Sequence, residues 1–410
     1  MKTLKAKIIM ILVAFLFIFF FSNDFGLIDV EKTSIITAIA IDKTDDGDFE
    51  VTAQIAVPEA TDANTENQKA QLSGKGSTVG AALKDLGDTS GWFPKLAFCN
   101  LILIGSSLSQ TNVITAIDYF AKTLRVQDSA LVAFSQKSAK ELLEISTPLD
   151  NLSAFALQKI LLKSTGFDRD IISTDVKSFC ADYYSIANSS YMPLIKILDS
   201  GGSSESSGQG SSSGGASDTS GQSGGQGSQS SGQKNKENLF DARSTALFVE
   251  GVKVGELGDN ETLALNAILS NINGTSLSVD EVPDKNGKPT NYLLTVLKNK
   301  RKTKLTATNN SLDLYIDLSL YCKVADHSSS NSDEAISQNH PLSQPLIEKT
   351  ENMLIEYLEN MMQISRRTGC DFLKIKEKLY RYNYKQYSLY KDNFLSKVKT
   401  HINVSVFGQS

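Results

Sequence analysis

Two β-rich stretches with alternating apolar and polar residues lie near opposite ends of the chain. Residues 35–42 and 49–57 are rich in apolar residues and flank the turn residues 44–47, which predicts a β-hairpin. Residues 312–320 alternate leucine or isoleucine with mostly polar residues, and residues 398–406 alternate in a similar way. Such half-buried strands predict an antiparallel sheet that is covered by helices on one face and meets water on the other.

Helical spacing of apolar residues fills much of the first half of the chain. Helices are predicted from Val79, Leu83 and Leu86, from Ile114, Ile117, Phe120 and Leu124, and over residues 137–144 and 152–163. Two β-rich runs, at residues 96–105 and 130–134, lie between these helices. Because strands and helices alternate, we expect an α/β region here.

The second half combines a hairpin, helices and the late strands. Residues 245–249 and 252–255 flank Glu250 and Gly251, which predicts a hairpin, and Asp259 is suited to cap the helix that follows. Helical stripes are predicted through Ile347, Leu354, Leu358 and Met361, and through Phe372, Ile375 and Leu379. The predicted fold class is therefore mixed: an N-terminal α/β region and an α+β C-terminal antiparallel sheet packed with helices.

A lysine-led apolar segment begins the chain. Its uninterrupted apolar run, residues 8–21, is shorter than the roughly 20 residues of a typical membrane span. No small residues suited to signal cleavage follow the run, and the first cysteine is Cys99, so no lipidation site is predicted. We expect residues 1–23 to be an uncleaved membrane anchor with the rest outside the cytoplasm. A signal removed at an atypical site is the alternative. The predicted anchoring side chains include Ile8, Leu12, Phe15 and Phe21.

A tract rich in Gly, Ser and Gln divides the chain at residues 199–237. Because it has almost no aliphatic side chains to bury, we expect a flexible linker or a long surface loop. The predicted organisation is a signal anchor at 1–23, an α/β region at 28–198 built as one or two subdomains, the tract at 199–237, and a C-terminal domain at 238–410.

Length, composition and net charge indicate how many domains to expect and which partners to exclude. The chain has 410 residues, of which 40% are hydrophobic, so two or three folded domains are expected. Its formal net charge of −5 gives no global basic field, so no nucleic-acid partner is predicted.

Residue types that carry catalysis or bind metals are scattered along the sequence. The cysteines, which form no CxxC pair, are Cys99, Cys180, Cys322 and Cys370. We interpret them as small buried apolar residues, and a disulfide between two of them is the alternative. The histidines, which we interpret as solvated, are His327, His340 and His401. With no nucleophile elbow, Walker loop or dinucleotide fingerprint, we expect no enzymatic activity, no metal and no cofactor.

Four charged, glycine-rich or aromatic clusters carry alternative interpretations. Asp42, Asp45, Asp46 and Asp48 partly fit a calcium loop, but a hairpin turn is favoured. Residues 74–77 are interpreted as the start of a helix. The basic run at residues 298–304 would either meet anionic lipid headgroups or lie in water at the start of a strand. One late tyrosine-rich helix forms either a partner surface or ordinary packing; its tyrosines are Tyr380, Tyr382, Tyr384, Tyr387 and Tyr390.

Several stretches, in this order, resemble the Ger(x)C family, the C subunits of bacterial spore germinant receptors. The similar stretches are residues 28–42, 49–57, 95–105, 139–148, 246–258 with Glu261, 369–373, and the closing helix and strand. The family is typically lipidated on a cysteine that this chain lacks, and the tract at 199–237 looks like an insertion.

This resemblance implies a non-enzymatic role in nutrient-triggered spore germination. It implies a place at the outer face of the spore inner membrane, together with integral-membrane A and B subunits in a receptor for small nutrients. No residue is assigned to bind a nutrient. The alternative is an extracytoplasmic solute-binding or envelope scaffold protein, and an envelope hydrolase has the least support.

Overall fold

The computed structural model describes residues 10–15, 33–56, 70–123, 126–147, 150, 152–162, 170–199, 238–283, 287–328 and 342–408. Residues 200–237 of the Gly/Ser tract lie outside the described residues, as do Ile8, Phe21, Leu124 and His340.

Among the described residues, the first sheet has nine strands in the order β3-β2-β1-β5-β6-β7-β8-β9, with β4 paired to the start of β1. The strands are β1 (Thr33–Lys43), β2 (Phe49–Ile55), β3 (Ala70–Gly76), β4 (Phe93–Lys95), β5 (Leu101–Ile104), β6 (Leu131–Ser135), β7 (Ser189–Asp199), β8 (Asn238–Val249) and β9 (Val252–Leu257). β1, β5, β6 and β7 form a parallel centre, flanked by antiparallel strands on both sides.

Helices cover both faces of this sheet, as the predicted α/β region requires. They are α1 (Val79–Ser90), α2 (Ile114–Thr123), α3 (Ala139–Glu144), α4 (Ser153–Leu162) and α5 (Val176–Tyr183). One core contains α1, α2 and α5 with Ile39 and Ile41 of β1, and the other contains α3 and α4 with Ala38 and Ala40. The central strands β5 and β6 are buried along their whole length, because parallel strands between two helix layers meet no water.

The second sheet, in the part of the chain that the structure describes, has four strands in the order β10-β11-β12-β13 and a helical layer on one face. Its elements are α6 (Asp259–Leu269), β10 (Ser276–Pro283), β11 (Pro289–Ala307), β12 (Leu312–His327), α7 (Gln344–Thr368), α8 (Ile375–Tyr382), α9 (Tyr384–Tyr390), α10 (Phe394–Lys397) and β13 (Val398–Gly408). The expectation of a wholly antiparallel sheet is wrong at the last strand, since β13 runs parallel to β12. The helical connection from α7 to α10 returns the chain to the end of the sheet where β12 began.

The Gly/Ser tract joins two neighbouring strands of the first sheet. Asp199 at the end of β7 pairs with Asn238 at the start of β8, and β8 then forms a hairpin with β9. The predicted boundary at 238 therefore does not separate the two sheets, because the first sheet takes its last two strands from the segment after the tract. Only from β10 onward do strands belong to the second sheet.

Local patterns were mostly confirmed, with three exceptions. The hairpins of β1 with β2 and of β8 with β9 are both present, and Glu250 and Gly251 turn the latter with φ of 51° and 78°. Within the predicted strand at 96–105, the chain forms a 3₁₀ turn at Leu96–Phe98 before β5 begins. Gly258 rather than Asp259 occupies the N-cap of α6. The tyrosine-rich segment is two helices, α8 and α9, broken at Asn383.

Candidate functional site

The cysteines are buried packing residues in the described structure. All four are free thiols. Burial raises the pKa of Cys99, Cys322 and Cys370 to about 12 and that of Cys180 to about 11, so none of them is a reactive thiolate near neutral pH. Within the described ranges, no group of histidine, cysteine or acidic side chains has the arrangement of a metal site.

The acidic cluster of the first hairpin is divided by the fold. Asp45, Asp46 and Asp48 are exposed in the β1–β2 turn, which agrees with the hairpin interpretation. Asp42 instead points inward and caps α3. Its carboxylate accepts hydrogen bonds from Ser138 Oγ at 2.9 Å and from the backbone nitrogen of Lys140 at 2.9 Å. The carboxylate of Asp42 is therefore occupied by a helix N-terminus, where negative charge is stabilised.

The glycines at 74–77 serve close packing at the start of α1. A Cβ on Gly74 would lie 2.3 Å from the carbonyl oxygen of Ala82, so only glycine lets β3 approach the helix. Thr78 then caps α1 by accepting a hydrogen bond from the nitrogen of Ala81 at 3.1 Å. The interpretation of residues 74–77 as a helix start is therefore wrong by a few residues: Gly74 to Gly76 end β3, and the helix begins at Val79 after its N-cap Thr78.

Two predicted anchor residues fall within the described part of the chain. Leu12 and Phe15 lie on a helical stretch at residues 10–15 and are 59% and 72% exposed. None of the described helices has the length and apolar character needed to cross a bilayer. The anchor at 1–23 thus remains a prediction from the sequence.

The basic run falls inside β11, and alternate lysines of it share the outer face of the second sheet. The inward side chains of β12 and β13 pack in the core with α7, while those at the intervening positions point away from it. We call this outer side the lysine face. Its exposed lysines are Lys298, Lys300, Lys302, Lys304, Lys323 and Lys399. The face therefore concentrates positive charge in a chain whose net charge is −5.

Stacked aromatic rings lie between these lysines. Tyr315 on β12 stacks on His401 of β13 with ring centroids 4.6 Å apart, and Tyr321 stacks on Phe407 at 5.2 Å. The ammonium of Lys300 lies 5.3 Å from the centre of the Tyr321 ring, a cation–π distance. His401 is exposed, as expected from the sequence.

Asp313 and Asp317 of the lysine face form hydrogen bonds with side chains of β13. The Nε2 of His401 lies 3.0 Å from Asp313 Oδ1, and this hydrogen bond is the largest cause of a lowered pKa for Asp313. Asp317 Oδ1 accepts a weaker hydrogen bond from Asn403 at 3.5 Å. In the strand register Asp313 lies opposite Lys399 and Asp317 opposite Lys302, so these carboxylates offset only part of the positive charge of the six lysines.

The late tyrosines divide into a surface group and a packing group. Tyr380 contacts Tyr384 and Tyr387 edge-on or at an angle, with centroids 5.2–5.5 Å apart. Tyr382 is 78% exposed. Tyr390 is buried and donates its hydroxyl to the carbonyl of Thr308 at 2.9 Å, so it is a packing residue.

The junction between the two sheets contains buried polar residues that the sequence analysis missed. Asp371 accepts hydrogen bonds from the nitrogens of Ile375 at 2.9 Å and Lys376 at 2.8 Å, and thereby caps α8. Its own nitrogen donates to Ser189 Oγ of β7 at 3.0 Å. Burial raises the pKa of Asp371 to about 6. An aspartate four residues before a helical stripe is a recognisable cap signal, but its contact with β7 depends on the fold.

An ion pair also joins the two halves at this junction. Lys374, just before α8, pairs with Asp182 of α5. Burial raises the pKa of Asp182 while the ammonium of Lys374 opposes the shift. This pair and the Asp371 contacts fix α8 against the first sheet.

A shallow depression of about 520 Å³ lies between α1 and β4. Its lining includes Trp92, which is 46% exposed, Phe93, which is 41% exposed, and Tyr119. Lys84 and Asp88 provide its charged groups.

Two family models match the chain on either side of the Gly/Ser tract. Residues 27–197 match the model described as the spore germination protein N-terminal domain, and residues 243–407 match the one described as spore germination B3/GerAC like, C-terminal. Among solved structures, the chain is similar to a crystal structure of the GerBC protein, with 14% identity and a TM-score of 0.45, over 93% of this chain and 100% of that chain. No curated protein matches the chain.

Proposed function

The chain belongs to the GerAC-like family of spore germination proteins, and we propose that it works as a non-enzymatic subunit of a germinant receptor complex. In this role it binds and assembles with integral-membrane A and B subunits and makes or breaks no bond. The observation that carries the proposal is the pair of family matches, which together include strands and helices of both sheets.

The chemistry of the described polar residues supports a binding role. The buried carboxylates of Asp42 and Asp371 are engaged by helix N-termini, and the cysteine thiols are held protonated by burial. The exposed lysine face and the exposed tyrosines of α8 and α9 instead offer surfaces of the kind that partners contact. The subunit therefore acts through docking surfaces.

We place the folded part at the outer face of the spore inner membrane, held by residues 1–23. The lysines before the apolar run favour a cytoplasmic N-terminus. Residues 24–32 separate this anchor from β1, and a fully extended chain of that length reaches about 30 Å. The first sheet thus stays within reach of the headgroups and of membrane-embedded partners.

Deleting the gene and scoring nutrient-triggered germination tests this function. We expect the mutant spores to respond poorly to the nutrient and normally to a treatment that bypasses nutrient receptors. Expression of the full chain restores the response, whereas a chain without residues 1–23 does not. Unchanged germination in a strain without any paralogue contradicts the proposal.

Co-purification tests the assembly. A tagged full chain, extracted from spore membranes in mild detergent, is expected to retain the A and B subunits. Recovery of the chain alone, under conditions that keep A and B together, contradicts the proposed complex.

A further inference from the structure

We propose that the lysine face binds an anionic lipid surface and lays the second sheet flat against the membrane. This inference rests on the proposed function, because it takes the chain to be tethered at a bilayer. An N-terminal anchor alone does not determine which side of the folded protein contacts the membrane, and the proposal assigns that contact to the lysine face.

The charge of the face selects an anionic partner. Three lysines of β11, at 300, 302 and 304, occupy successive outward positions, and Lys399 lies across β12 from them. Asp313 and Asp317 lie opposite Lys399 and Lys302 in the strand register and offset part of this charge, whereas no acidic residue of β12 lies opposite Lys298, Lys300 or Lys304. An external anionic surface is therefore the available counter-charge for these ammonium groups, and approach to it relieves their mutual repulsion.

The spread of the lysines over three neighbouring strands favours a bilayer over a single peptide segment. Successive outward positions on a strand are about 7 Å apart, so Lys298 to Lys304 extends over about 20 Å. Cations also lie on the neighbouring strands, at Lys323 and Lys399, about 5 Å away per strand. A two-dimensional array of charges matches an extended array of headgroups, whereas an acidic peptide would engage one row.

The aromatic pairs suit the headgroup region of a membrane. Tyr315 and Phe407 are 40% and 45% exposed on the lysine face, although each is stacked on a neighbour. Tyrosine combines an apolar ring with a polar hydroxyl and is enriched where membrane and water meet. Lysine stems cover apolar surface while their ammonium groups reach phosphates.

Because the chain is already anchored, a modest attraction between the lysine face and the bilayer is sufficient to orient it. The attraction of each lysine to an anionic surface falls off within a Debye length, about 8 Å at physiological ionic strength. A chain already held at the bilayer meets the headgroups at a high effective concentration, so the face need only orient the protein and need not recruit it.

Site-specific fluorescence in vesicles tests the orientation. The full chain is reconstituted into vesicles of phosphatidylcholine, or of phosphatidylcholine and phosphatidylglycerol in equal parts, that carry a headgroup quencher. A dye is attached at Ser405→Cys on the lysine face or, as the matched control, at Glu359→Cys on the exposed side of α7. The native cysteines are buried, so labelling is confined to the new thiol.

We expect quenching at position 405 to be about two-fold or more stronger in the anionic vesicles, with no such change at position 359. Salt at about 1 M, where the Debye length is about 3 Å, should remove the difference. The triple variant Lys300→Glu, Lys302→Glu, Lys304→Glu should abolish it, and arginine at the same three positions should retain it.

Three results overturn the lipid proposal. They are equal quenching in the two lipid mixtures, quenching that is insensitive to salt, and quenching that appears only when the A and B subunits are added, which assigns the face to a protein partner. Flotation separates this failure from that of the proposed function. A chain that does not float with vesicles contradicts the membrane anchor, whereas a chain that floats without a response at position 405 contradicts the lysine face alone.

Discussion

Replacing Asp371 by asparagine should change how the stability of the protein depends on pH. Asp371 is 1% exposed at the junction of the two sheets, where it caps α8. Burial is the largest cause that raises its pKa from 3.8 to about 6, against the two backbone hydrogen bonds that lower it. The folded state therefore holds the proton more tightly than the unfolded state does.

The sign and the size of the pH effect on stability follow from this pKa shift. The stabilisation from the protonated carboxyl is fully present below pH 3.8 and is lost as the pH rises through about 6. A shift of about two units corresponds to about 3 kcal/mol of unfolding free energy. Asparagine cannot ionise, so Asp371→Asn should remove this dependence, whatever constant effect it has on the helix cap.

Urea unfolding of the purified wild type and Asp371→Asn, from about pH 4 to about pH 8, measures the difference. The stability of the wild type relative to the variant should fall by about 2–3 kcal/mol across that range. Asp45→Asn, at an exposed turn position, is the matched control and should leave the pH profile unchanged. Parallel profiles for wild type and Asp371→Asn would contradict a raised pKa of Asp371 in the folded state.

Three further substitutions test the packing and the junction. Phe248→Ala removes a fully buried ring and should cost about 3–5 kcal/mol of unfolding free energy, measured in urea. Gly105→Ala places a Cβ 1.8 Å from Asp42 Oδ1, so the N-terminus of α3 should lose its hydrogen bonds to Asp42 and the thermal midpoint should fall; an unchanged midpoint contradicts the packing argument. Lys374→Met leaves the Asp182 carboxylate without its cation, which should cost about 1 kcal/mol near neutral pH and less below about pH 4; an equal loss at both pH values contradicts the ion pair.

The lysine face could be predicted from the sequence only in part. The sequence shows that the run at 298–304 is basic, and it allows two interpretations of that run: contact with lipid headgroups or exposure to water at the start of a strand. Its place inside β11, rather than at a strand start, was not visible. The contact between Tyr315 and His401 could not be predicted either. These residues are 86 positions apart in sequence and meet only because β12 and β13 pair in register. The pairing of β11, β12 and β13 brings the exposed lysines together on one face of the sheet.

Several elements are predicted correctly from the sequence because their signals are local. Alternation over 312–320, turn residues between β1 and β2, and helical spacing around Val79 each depend on neighbours within a few residues, so the pattern alone predicts the element. Tertiary structure decided which strands pair: β8 and β9 complete the first sheet, and β13 joins β12 in parallel. It also decided that Asp42 and Asp371 are buried helix caps and not surface acids. Strand partners and the burial of a polar group depend on contacts between distant parts of the chain, and no local pattern specifies those contacts.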